Sequence, residues 1–130
     1  IGVDAKKSIQ VLEAAYNDSA GVTAAFNLNV LQHLNDQLQA DFRLENFQHE
    51  ARYNNEQGCI QMFLRSTCAQ RVTINDAVIS LAQGERIHTE DSFKYSVEEF
   101  VQMAQQAGFA TVERWQDAKQ WYSLFLLRVQ

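Results

Sequence analysis

The sequence predicts an α+β domain, on three observations. Apolar residues recur at helical spacing as far as Leu38, the period changes to two from His49, and a capping box followed by two extended runs closes the chain. Ile1-Gly2-Val3-Asp4 reads as the C-terminal end of a buried strand, parallel or central, which needs neighbours for its ladder. Ser8 to Tyr16 is helical, with Ile9, Leu12 and Tyr16 spaced by three and four. Asn17-Asp18-Ser19 then supplies turn and N-cap chemistry. From Gly21 a longer helix follows, its stripe formed by Val22, Phe26, Val30, Leu34 and Leu38. Asn29 and His33 flank that stripe, where they either line a pocket or mark the solvent boundary. Between Asp41 and Phe47 one helical turn is pinned by Phe42, Leu44 and Phe47.

His49 to Tyr53, Ile60 to Ser66, Gln70 to Ile74 and Val78 to Leu81 read as strands of a small antiparallel meander, broken by Asn54-Asn55-Glu56-Gln57-Gly58 and by Asn75-Asp76. Gly84 opens a further extended stretch, Glu85 to Tyr95. Its alternation places His88, Glu90, Ser92 and Lys94 on one face and Thr89, Asp91, Phe93 and Tyr95 on the other. Ser96-Val97-Glu98-Glu99 is a capping box, and Phe100, Val101, Ala104 and Ala107 form a stripe that stops at Gly108. Ala110 to Gln116 and Trp121 to Val129 are two strands joined by Asp117-Ala118-Lys119-Gln120. The last is apolar on both faces and belongs in the middle of a covered sheet.

Composition limits the function. With 130 residues, 46% hydrophobic and 21% charged, the chain can bury one core without a disulfide or metal. A net charge of -5 repels phosphate backbones and anionic lipid surfaces, so neither nucleic acid nor membrane is expected as a partner. No apolar run reaches transmembrane length and the first residues lack a signal-peptide layout, so the expected location is cytoplasmic. Cys59 and Cys68 fit neither a disulfide framework nor a CxxC site and are expected as reduced thiols. The opening on a strand stub without Met suggests the back part of something larger.

Most motifs of catalysis are missing. GxGxxG, P-loop and GxSxG are absent, and neither cysteine lies near a spacing-matched His. His88-Thr89-Glu90 has the H-x-E order of a zinc deaminase, but no P-C-x-x-C accompanies it, so no metal site is expected. Spacing selects no acid and base pair among Asp76, Glu85, Glu90 and Asp91.

One stretch does carry a signal: Ala14-Ala15-Tyr16-Asn17-Asp18-Ser19-Ala20-Gly21-Val22-Thr23-Ala24-Ala25-Phe26-Asn27-Leu28-Asn29. It is similar to the signature stretch of the histidine-specific S-adenosylmethionine-dependent methyltransferases, the Nα-methyltransferases of ergothioneine biosynthesis. Ala40-Asp41-Phe42, Phe47-Gln48-His49, Ile60-Gln61-Met62-Phe63-Leu64, Ala69-Gln70, Gly84-Glu85 and Thr89-Glu90-Asp91-Ser92-Phe93-Lys94-Tyr95 match in order. The Tyr-x-Asp-x-x-Gly-Val-Thr-x-x-Phe-Asn run is specific, and the dipeptides are not.

The resemblance implies the C-terminal part of a class I (Rossmann-like) methyltransferase sheet carrying an inserted α+β substrate-binding domain. Residues 1-15 and 96-130 would end the sheet and residues 16-95 would be the insertion. It implies S-adenosylmethionine as cofactor, with its glycine-rich loop and acidic ribose ligand upstream of Ile1, so that this chain alone would not hold it. It also implies that Tyr16 helps hold the substrate's carboxylate, that Met62 lies against the imidazole, and that Glu90 and Ser92 bond the imidazole nitrogens. A carboxylate and a hydroxyl two apart on a strand can satisfy both ring nitrogens in either protonation state. Taken without the resemblance, Tyr16 and Met62 read as core residues, whereas the polar Glu90/Ser92 face, flanked by Phe93 and Tyr95, needs some reason, for which an exposed edge would suffice.

The expected function is therefore N-methylation of the α-amino group of histidine, this chain supplying substrate recognition. The same chemistry on another amino acid or amine, or a non-enzymatic α+β ligand-binding module, are the alternatives. Methyl transfer from a sulfonium needs the amine neutral, close and desolvated, so positioning and water exclusion are the protein's main contributions and no residue is assigned a catalytic role. Apolar surface on the first strand and last hairpin is expected to make the isolated chain self-associate.

Overall fold

The computed structural model describes residues 1–130. In order, the elements are β1 (Gly2–Asp4), α1 (Ile9–Tyr16), α2 (Val22–Leu38), a 3-10 turn (Leu44–Asn46), β2 (Phe47–Asn54), β3 (Cys59–Ser66), β4 (Gln70–Ile74), β5 (Ala77–Leu81), β6 (Arg86–Phe93), α3 (Val97–Gln106), β7 (Phe109–Gln116) and β8 (Tyr122–Val129). The α+β class is as the periodicities indicate. No helix is long and apolar enough to cross a membrane.

The strands divide into three sheets, ordered β2-β3-β6, β4-β5 and β1-β8-β7, each antiparallel. The single meander expected from residues 49–81 does not form. β3 carries five buried residues in eight, so both its edges need partners, and β6 takes the edge that β4 would have occupied. The β4-β5 hairpin instead folds onto a core of Leu31, Phe42, Phe47, Leu64, Val72 and Leu81. Phe42 and Phe47, expected as pins, meet edge to face at 5.9 Å.

A second cluster, Leu12, Ala51, Ile60 and Met62 with Tyr16 and Tyr53 against it, seats α1 on the β2-β3-β6 sheet. Helix α2 covers the same face, but not with the expected stripe. Val22, Phe26, Val30 and Leu38 are exposed, and the helix turns Asn27 and Leu31 inward. Asn27 is accommodated because its Nδ2 donates to the Phe63 carbonyl (3.2 Å) and to His49 Nδ1 (3.0 Å).

The third cluster, Val3, Phe100 and Phe125, packs α3 against the β1-β8-β7 sheet. The capping box is complete: Ser96 Oγ accepts from the Glu99 amide and Glu99 Oε2 accepts from the Ser96 amide. β8 is the central strand, as its composition requires, but it is covered on one face only. Ser123 and Phe125 are buried, while Tyr122, Leu124 and Leu126 are about half exposed. β1 is an edge strand here, antiparallel to β8.

The two larger sheets meet where the chain leaves β1 and β6. Tyr95 N donates to the Asp4 carbonyl (3.3 Å), Lys6 N donates to the Tyr95 carbonyl (3.4 Å), and Lys94 N donates to the Gly58 carbonyl (2.8 Å). Gly58 has φ of +70°, a conformation that glycine adopts at least cost.

Candidate functional site

Three of the four site residues expected from the sequence lie on β3 and β6, and a bulge decides their faces. The β3-β6 ladder pairs Phe63 with His88 and Met62 with Glu90, leaving Thr89 as the extra residue. Met62 and Phe63 point to opposite sides of the sheet, so Glu90 falls on the helix-covered face and His88 on the other. His88 therefore does not share a face with Glu90, as simple alternation had placed it. It stacks on Phe63 (5.0 Å) and reaches Asp91 Oδ1 at 2.8 Å, outside the candidate site. Thr89 Oγ1 donates to the Met62 carbonyl (3.0 Å), giving the disturbed ladder a partner.

Beyond the bulge the alternation resumes. Ser92 pairs with Ile60, so Glu90 and Ser92 share the inner face, about 7 Å apart along the strand. Met62 is buried beneath Glu90, in the cluster that Tyr16 caps. Two cavities flank this row. One, of about 270 Å³, is lined by Glu90, Thr89 and the α2 residues Phe26, Asn27, Asn29, Val30 and His33. The exposed apolar side of α2 is thus one wall of the Glu90 cavity, and Asn29 and His33 line it as well. The other, of about 360 Å³, holds Ser92, Tyr16, Lys94 and Asp4 at its polar end.

Tyr16 and Ser92 are brought into direct contact, their hydroxyl oxygens 2.7 Å apart. Tyr16 sits at the C-terminus of α1, and the segment that follows is fastened to β2. Asn17 behaves like a strand edge, its Nδ2 donating to the Ala51 carbonyl (3.0 Å) and its Oδ1 accepting from the Ala51 amide (3.2 Å). His49 closes the arrangement. The Phe63 carbonyl can only accept, so the Asn27 amide nitrogen faces it and also faces His49 Nδ1, which must accept. The ring proton then lies on Nε2 and is donated to the Tyr16 carbonyl at 2.8 Å. Asp18 starts α2 by accepting from the amides of Thr23 (2.8 Å) and Val22 (2.9 Å), and these bonds lower its carboxyl to about 2.

Two residues of the site, Lys94 and Asp4, carry no role in the sequence reading. Lys94 is only 2% exposed, and Asp4 faces it from the end of β1 with Oδ2 at 3.3 Å from Nζ. The signal for Lys94 was present in its phase with Glu90 and Ser92. Its burial was not, because Asp4 and Tyr16 arrive from positions 90 and 78 residues earlier.

The opposite face of the same sheet is ionic. Glu50 accepts from Arg86 (2.7 Å) and Arg52 (2.8 Å) and pairs with Arg65 (2.6 Å), and these guanidiniums, Arg86 foremost, bring its carboxyl down to about 2. Cys59 and Cys68 are free thiols, and burial, reinforced by nearby Asp91, pushes that of Cys59 up. It is therefore not an activated nucleophile.

Residues 1–129 match the family described as histidine-specific, SAM-dependent methyltransferases. The chain belongs to that family. It is 42% identical over 119 residues to histidine N-alpha-methyltransferase of Mycolicibacterium smegmatis, and 38% identical over 119 residues to that of Mycobacterium tuberculosis. Each alignment covers 90% of this chain and 37% of the relative, so the chain spans little more than a third of their length. It is also 32% identical over 133 residues to ergothioneine biosynthesis protein 1 of Neurospora crassa, covering 98% of this chain and 14% of that protein. The strand face carrying Glu90 and Ser92 is thus part of a SAM-dependent methyltransferase family's fold.

Proposed function

We propose that this chain supplies the amino-acid-recognising part of an S-adenosylmethionine-dependent methyltransferase that acts on the α-amino group of histidine. The observation that carries the reading is the row on the inner face of β6, where a carboxylate, Glu90, and a hydroxyl, Ser92, stand over Met62 and beside Tyr16. A ring lying across that strand meets an acceptor at one end and a donor at the other, which suits the two nitrogens of an imidazole. Tyr16 is then the group that holds the substrate carboxylate, and Met62 is the floor under the ring. The names of the mycobacterial relatives support histidine as the substrate class.

S-adenosylmethionine supplies the methyl group as a sulfonium. Residues 1–130 do not fit it. A side chain at Gly2 would collide with the Tyr122 ring, and Gly21, Gly58, Gly84 and Gly108 turn four separate loops, so no run of glycines forms a cradle for the adenosine. We place the cofactor site in residues outside this chain. The β1-β8-β7 sheet with α3 is then the end of a class I methyltransferase sheet, and residues 16–95 are the substrate-binding insertion. The separate core of Val3, Phe100 and Phe125 supports that division, although Leu12 packs α1 with the insertion rather than with the β1-β8-β7 sheet.

Calorimetry decides the division of labour: the 130-residue chain is expected to show no S-adenosylmethionine binding, and tight binding would overturn it. Steady-state kinetics of the intact protein decides the substrate. Methylation of histidine in preference to other amino acids supports the reading, and no preference rejects it.

A further inference from the structure

Lys94 has no place in the row of substrate contacts, yet it is the most buried charge in the molecule and it touches two of them. Its ammonium carries three protons and no acceptor. Two are donated, to Tyr16 Oη at 2.8 Å and Ser92 Oγ at 2.7 Å, and Asp4 Oδ2 stands at ion-pair distance, 3.3 Å away. It also lies over the Tyr16 ring, 4.8 Å from the centroid. Its backbone is held by the Gly58 carbonyl, so the side chain enters from a fixed point.

These contacts constrain the two hydroxyls. Both oxygens accept a proton from Lys94, and one of them donates to the other across 2.7 Å. Two hydroxyl protons are available and one is used between the pair, which leaves one. If Tyr16 donates to Ser92, both lone pairs of Ser92 are filled and its own proton points outward. If Ser92 donates to Tyr16, the Tyr16 proton points outward instead. Either way the pair offers a ligand one proton and, on the other oxygen, one remaining lone pair out of four.

The charge works in the same direction. Lys94 and Lys7 share the single carboxylate of Asp4, leaving one positive charge beside the hydroxyls. We infer that Lys94 is a positioning residue, which biases the Tyr16 and Ser92 hydroxyls toward donating to an acceptor group of the substrate, such as a carboxylate or an unprotonated ring nitrogen. The inference rests on the reading of Tyr16 and Ser92 as amino-acid ligands. Without the ammonium each hydroxyl regains a free lone pair, and the pair accepts as readily as it donates.

The test is a double-mutant cycle in the intact protein, with Lys94→Met, Ser92→Ala and the two combined, read as histidine KM and kcat. Loss of hydrogen bonds to a charged group corresponds to roughly 10- to 100-fold. Lys94→Met is expected to raise KM by that factor with kcat changed less, and to add less than about threefold in the Ser92→Ala background. A KM within twofold of the parent, or full additivity of the two changes, overturns the role. Should Lys94→Met not fold, Lys94→Gln takes its place, since its amide keeps two donors but not the charge. A rise of about tenfold that vanishes in the Ser92→Ala background supports the inference, and an unchanged KM rejects it. If the parent protein does not use histidine at all, the proposed function falls, and the cycle is then read on whichever amino acid it does methylate.

Discussion

Glu90 stands directly across from Met62 in the β3-β6 ladder, on the face that α1 and α2 cover. The pairing is a consequence of one extra residue, Thr89, which shifts the register by one position and sends His88 to the opposite side. A carboxylate is thereby set over a buried thioether at the mouth of a cavity rather than on a solvated edge.

Glu90→Ala in the intact protein should lower kcat/KM for histidine and relatively favour bulkier apolar amino acids, by a factor that can reach ~10⁴ when a buried polar contact loses its match. Met62→Val should shift preference the same way by enlarging the floor, and should cost at least about 1 kcal/mol of stability for the lost buried methylene. Competition kinetics of histidine against tryptophan and phenylalanine measures the first effect. Unchanged preference in Glu90→Ala would place the ligand elsewhere.

Thr89→Val keeps the shape of the bulge residue but removes the donor to the Met62 carbonyl. The expected cost is about 1–2 kcal/mol, the usual penalty for leaving a part-buried acceptor unpaired. Urea unfolding should show the midpoint falling at constant slope.

His49→Phe breaks both the Asn27 bond and the bond to the Tyr16 carbonyl. A loss of about 2 kcal/mol is expected, since one amide proton of buried Asn27 and the Tyr16 carbonyl lose their partner. Because the second of those groups belongs to Tyr16, histidine KM should rise as well. A stability loss with no change in KM would show that His49 supports the fold without steering the tyrosine.

Acid should destabilise the fold well above pH 2. Asp18 and Glu50 titrate at about 2 against ordinary values of 3.8 and 4.5, and hydrogen bonds from the Tyr122, Lys119 and Trp121 amides hold Asp117 low as well. Each pKa is lower in the folded state, so the stabilisation is complete above about pH 4.5 and is lost as pH falls from there towards 2. Asp18→Asn and Glu50→Gln should each flatten that part of a plot of stability against pH, and a slope that does not change would contradict the assignment.

The outer side of the β7-β8 hairpin exposes Val112, Trp115, Tyr122, Leu124 and Leu126 together. Single apolar residues on a surface are ordinary, but five on one hairpin form a patch that promotes association. Light scattering of the 130-residue chain should show concentration-dependent association, and Leu124→Lys with Leu126→Lys should abolish it. A monomer at millimolar concentration would refute this.

Ser96, Glu99 and Gly108 mark how far local chemistry reaches. A capping box and a left-handed stop involve residues a few positions apart, so the α3 boundaries follow from local chemistry. Period-two alternation likewise located β2 to β8 to within two residues, and the apolar last strand required the centre of its sheet. The run from Tyr16 to Asn29 carried the family. The inward face of α2 was not legible, because Asn27 becomes a core residue only once His49 and the Phe63 carbonyl accept its amide protons. Nor was the face of His88, which depends on where β3 receives β6 and so on a ladder between residues about 27 positions apart. Lys94 is the clearest case: a lysine in an alternating strand reads as solvated, and it is buried only because Asp4 and Tyr16, from distant parts of the chain, neutralise and bond it. Local periodicity sets where strands and helices lie. The protons and charges that define the candidate site are matched by long-range contacts, and those exist only in the folded chain.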